Sequence, residues 1–109
     1  MAVKKANIKK PELPVEEVLI SALADEPVKV RCLLQTQINT LSEEQKQHGG
    51  VDWSVILAHK SVVDDDLETI FTVEEWAIWQ AAHRVVLEEQ VVPALLRVNG
   101  FDRDNNKKK

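Results

Sequence analysis

The sequence predicts an all-α protein: a small bundle of four to five helices with a long, proline-kinked C-terminal helix. Three observations predict it. Apolar residues recur at helical spacing through most of the chain. Helix start and stop signals fall between those periodic stretches. Only three glycines and no tyrosine are present, which argues against a loop-rich sandwich or a nucleotide fold built on a glycine-rich turn. At 109 residues, 44% of them hydrophobic and 29% charged, the chain is sized for one domain around one core.

Pro11 and Pro14 close a basic arm over residues 1–13, expected to be mobile because it lacks the apolar residues to dock firmly. After it, Val15, Val18, Leu19, Ala22 and Leu23 fall at i, i+3, i+4, i+7 and i+8, which predicts a first helix over 14–24. Pro14 suits its first turn, and Glu16 and Glu17 suit the positive end of the helix dipole. Asp25-Glu26-Pro27 is a stop and a restart. Val30, Leu33, Leu34, Ile38 and Leu41 form the next stripe, a second helix from 27 to 40 or as far as 47. The alternation Val28, Val30, Cys32 fits a strand, but the longer helical match outweighs it.

Gly49-Gly50 is the strongest break in the chain. Asp52 then caps a third helix marked by Trp53, Ile56, Leu57 and Val63, and Asp64-Asp65-Asp66 ends it or opens a short segment containing Leu67, Ile70 and Phe71. Thr72-Val73-Glu74-Glu75 has the spacing of a capping box, in which hydroxyl and carboxylate each satisfy a backbone N–H of the other. A last helix follows over 73–98, with Pro93 expected to kink or break it near 89–93 by removing a hydrogen bond and crowding the carbonyl of Glu89. Asn99-Gly100 stops it. The domain therefore spans 14–99, with a basic, mobile tail over 100–109.

Charge is unevenly spread. Residues 1–10 carry four lysines and no acid, whereas residues 11–99 carry 16 acidic against six basic side chains, a net −10. No apolar run approaches the roughly 20 residues that span a bilayer, and no apolar stretch follows the basic N-terminus as a secretion signal requires. With one cysteine, Cys32, an intramolecular disulfide is excluded, and its neighbours Leu33 and Leu34 predict a buried, inert thiol. These features point to an intracellular, cytoplasmic protein without a membrane span.

Chemistry-bearing patterns are sparse. Asp64, Asp66, Glu68 and Glu75 stand at positions one, three, five and twelve of an EF-hand calcium loop, but Thr69 occupies the position where that loop turns on glycine. Helix termination at Asp64–Asp66 and the Thr72–Glu75 capping box account for the same residues with less. His48, His59 and His83 show no metal-ligand spacing. Ser21, Ser42, Ser54 and Ser61 lack the context of an activated nucleophile. No enzyme, metal or cofactor is therefore expected.

Trp76, Trp79 and His83, continued by Val86 and Leu87, lie at helical spacing on one face of the last helix. Such a series is most often core, and otherwise an interface. The functional expectation is a non-enzymatic protein–protein interaction module (an adaptor, assembly factor, regulatory subunit or inhibitor) that forms a homodimer on the 73–98 helix. The alternative is a nucleic-acid-associated regulator whose Lys4, Lys5, Lys9 and Lys10 touch phosphates. Its recognition surface would be helix two, with Lys29, Arg31, Gln35, Gln37 and Asn39, which is only mildly basic, so binding would be weak.

Overall fold

The computed structural model describes residues 3–101 and shows a mixed α/β protein, which corrects the all-α expectation. Two of the expected helices begin as strands. β1, Val15–Val18, pairs antiparallel with β2, Val28–Arg31, and β2 pairs antiparallel with β3, Val62–Val63, giving the order β1-β2-β3. Around this sheet stand α1 (Gln35–Asn39), α2 (Leu41–Gln47), α3 (Trp53–Ser61), α4 (Val73–Ala82), α5 (Arg84–Val86) and, after one π-helical turn over Leu87–Val91, α6 (Val92–Val98).

The sheet forms because period two buries more than period 3.6 in this stretch. On the inner face, Glu16 and Val18 stand opposite Val30 and Val28, and Val30 stands opposite Val62. Val30 and Val62 are fully buried, and Ile20, which continues the alternation beyond β1, is buried as well. Ile20 lies outside the helical stripe, whereas Val15 and Leu19, which belong to it, are exposed. The expected helix 14–24 survives only as a turn, with the N–H groups of Leu23 and Ala24 donating to the carbonyl of Ile20. β-branched valines favour this pleated arrangement, and Pro14 and Pro27 sit just ahead of the strands, where proline is tolerated.

α3 is the central helix. Its residues Ser54 to Ala58 are all buried, so it is apolar around most of its circumference and not along one stripe. Val63 belongs to β3 and not to this helix. α6 packs across β1, β2 and α3, placing Ala94, Leu95 and Val98 in the core. Asn99 caps α6, and its buried side chain joins three segments: Oδ1 accepts the Leu33 N–H at 2.7 Å, while Nδ2 donates to the Leu95 carbonyl and to Ser61 Oγ. Gly100 then takes a left-handed φ of 80°, ending the helix as glycine does best.

The helical stretch 73–98 is segmented. At His83 the backbone leaves helical geometry (φ −135°, ψ 49°), separating α4 from α5. The π-helical turn ends at Val91, two residues before Pro93, and contains Glu89, whose carbonyl the proline ring would crowd. A widened turn is one way for a helix to pass a residue that cannot donate its N–H and that crowds the preceding turn.

No helix among the described residues is long and apolar enough to cross a membrane. Of the expected C-terminal tail over 100–109, residues 102–109 lie outside the described residues.

Candidate interaction surface

The Thr72–Glu75 capping box forms as the spacing predicts: Thr72 Oγ1 accepts the Glu75 N–H at 3.1 Å, and Glu75 Oε1 accepts the Thr72 N–H at 2.9 Å. It fixes the start of α4 and hence the direction of every side chain on that helix. Trp76 and Trp79 turn inward and are buried. The Trp76 ring meets Phe71 and Trp79 edge-on at 5.1 and 5.4 Å, and Trp79 lies against the His83 ring at 4.9 Å. Leu87 is buried too, while His83 and Val86 are half-buried. Of the five residues singled out on this face, only His83 and Val86 have surface to offer a partner.

The outward face of the same segment is also apolar. Ile78 is 69% exposed and Val85 63% exposed, the two highest values among the large hydrophobic side chains of the folded body. Ala81 and Ala82 are exposed between them. The sequence does not single out this face, because the helix is apolar on both sides and no one stripe stands out. The available signal was the placement of Ile78 between Trp76 and Trp79, which cannot share their direction.

A second open surface is the edge of the sheet. The Cys32 N–H donates to the Pro14 carbonyl at 2.9 Å, which sets the alternation along β1. The N–H and C=O groups of Val15 and Glu17 therefore point away from β2, and among the described residues no strand pairs with that edge. The opposite edge is blocked by the turn after β3, where Thr69 bridges Val63 and Arg31 donates to the carbonyls of Lys60 and Leu67. Lys29 and Arg31 lie on β2, so the expected recognition helix with Gln35, Gln37 and Asn39 does not exist as one surface.

The EF-hand-like series is folded into a turn and a helix start. Asp64 Oδ1 accepts the N–H groups of Asp66 and Glu68, and Leu67 adopts a left-handed φ of 64°. Glu75 is occupied by the capping box. Among the described residues no three His, Cys, Asp or Glu side chains are grouped to hold a metal ion. The histidines are dispersed: His48 Nδ1 lies 3.2 Å from Glu74, His59 Nδ1 lies 2.8 Å from the Phe71 carbonyl, and His83 stacks on Trp79. Cys32 is half-buried, more open than its leucine neighbours predicted.

Beside this turn lies an apolar groove of about 360 Å³, floored by Leu23, Val28, Ile70 and Phe71 and rimmed by Glu26, Asp64 and Asp65. The basic arm leaves the body at the other end of the β1–β2 hairpin. Every described residue of the arm is exposed, and its one regular feature is a 3-10 turn over Lys5–Asn7.

Two carboxylates fasten the surface elements. Arg97 grips Glu16 with two hydrogen bonds of 3.0 and 2.6 Å, and this bonding holds the Glu16 pKa below its ordinary value despite some desolvation. Burial works against the Glu44 carboxylate, but hydrogen bonds from Lys60 and Thr40 outweigh it and its pKa is also lowered.

No protein-family model matches the chain, and neither a curated protein nor a solved structure matches it.

Proposed function

We propose that this chain is a non-enzymatic protein–protein interaction module whose partner is a second copy of itself. The observation that carries the reading is the outward face of α4 and α5, where Ile78 and Val85 stand in solvent on the segment whose inner face supplies Trp76, Trp79 and Leu87 to the core. Exposed apolar groups gain free energy when a partner removes them from water, about 25 cal/mol per Å². A second copy is favoured as that partner by the charge layout. A basic arm attached to a body of net −10 is complementary to another molecule of the same kind. The single cysteine accords with an intracellular location.

The test is the mass in solution, by light scattering on a sizing column, of the wild type and of Ile78→Glu/Val85→Glu. The reading expects about twice 12.4 kDa for the wild type and a shift toward 12.4 kDa for the variant.

A second reading is favoured by one observation: Lys4, Lys5, Lys9 and Lys10 are all exposed on an arm that extends from the body. Those lysines would contact nucleic-acid phosphates, and a gel shift that persists at moderate salt would support it. The net −10 of the body opposes this.

A further inference from the structure

Within the dimer proposed above, on which this inference rests, we propose that the N-terminal arm of each copy docks in the acidic-rimmed groove of the other. The two surfaces match in chemistry. The groove offers an apolar floor of Leu23, Val28, Ile70 and Phe71 beneath Glu26, Asp64 and Asp65. The arm offers Lys4, Lys5, Lys9 and Lys10 around Ile8, which is 60% exposed. Ile8 fills the floor while the lysines on either side of it meet the carboxylates of the rim.

Geometry favours exchange over self-occupation. The arm joins β1 at Pro14, which is bonded to Cys32 at one end of the hairpin. The groove lies at the other end, against Pro27 and Val28. β1 carries the chain about 13 Å between those ends, so an arm entering its own groove must reverse and run back along the strand. Pro11 and Pro14, each with φ fixed, stiffen the segment where that reversal would occur. An arm that continues outward meets a neighbour instead. Two-fold exchange closes the pair, since each copy gives one arm and receives one.

The test is a charge swap in the full-length protein. One variant reverses the arm (Lys4→Glu, Lys5→Glu, Lys9→Glu, Lys10→Glu), and the other reverses the rim (Glu26→Lys, Asp65→Lys). Asp64 is spared because it holds the turn. Dimer Kd is measured by sedimentation over a dilution series, with circular dichroism as the check on folding. Each variant alone should weaken the dimer at least about tenfold, because like charges then face each other. An equimolar mixture should regain an affinity close to that of the wild type, since in the mixed pair the reversed arm meets the reversed rim and the native arm meets the native rim. A wild-type dimer unchanged by both variants overturns arm exchange while leaving self-association standing. A dimer weakened by the variants but not restored by mixing also overturns it. A wild type that stays monomeric overturns both readings.

Discussion

Asn99 Oδ1 accepts the backbone N–H of Leu33 at 2.7 Å, across 66 residues of sequence and inside the core. This bond ties the chain after β2 to the end of α6. The amide group of the same side chain reaches Ser61 Oγ and the Leu95 carbonyl, so α3 is held as well.

Asn99→Ala should therefore destabilise the fold by about 2–3 kcal/mol, because it strands the buried Leu33 N–H and removes the donor to buried Ser61 Oγ, while the Leu95 carbonyl keeps the backbone N–H of residue 99. Asn99→Asp should cost at least as much, since a carboxylate cannot donate to Ser61 and Leu95. Urea unfolding checks both, and an unchanged slope would show that the native fold is retained.

The two faces of α4 should respond in opposite ways. Trp76→Ala should cost about 3–5 kcal/mol as a fully buried aromatic side chain is deleted. At protein concentrations below the dimer Kd, Ile78→Glu should leave stability within about 0.5 kcal/mol. Paired thermal and urea melts distinguish them, and equal costs would place Ile78 in the core.

The start of α4 depends on its cap. Thr72→Ala removes the acceptor for the Glu75 N–H and should cost about 1 kcal/mol, while Thr72→Ser should be nearly neutral. Denaturation midpoints measure the difference.

Acidification should release the link between β1 and α6. The Glu16 pKa is lowered in the folded protein by its bonds to Arg97, so the pair contributes stability above the unfolded-state pKa. That contribution disappears as pH falls through the lowered folded-state value. Glu16→Gln should cost at most about 1 kcal/mol near neutral pH, given that both side chains are partly exposed. The gap between wild type and variant should close on the acidic side. A gap that persists once Glu16 is protonated in the folded protein would contradict the ion pair as its cause.

Two helix boundaries were legible in the sequence and the sheet was not; Asp52 stands at the start of α3 as expected, but its carboxylate accepts from Gln80 and does not cap the helix. Thr72 with Glu75 and Asn99 with Gly100 are local signals, read from residues that touch one another. β1 is different. Val15 and Val18 fit a helical stripe as well as a strand, and the choice depends on burying Val30 between β1 and β3, which is contributed from residues 62–63. No local window contains that pairing. Val28, Val30 and Cys32 alternate, but three residues of alternation weigh less than the longer helical match. The interaction surface was half-legible for a related reason. Spacing grouped Trp76, Trp79 and Leu87, but only packing tells which face of a two-sided apolar helix points inward.

Self-association through the outward face of α4 and α5 is the central claim, and light scattering tests it most directly. Over a concentration series, the account predicts a wild-type mass rising to about twice 12.4 kDa and a folded Ile78→Glu/Val85→Glu variant remaining near 12.4 kDa. A wild type that stays at 12.4 kDa throughout, or a variant that dimerises as well as the wild type, would contradict it.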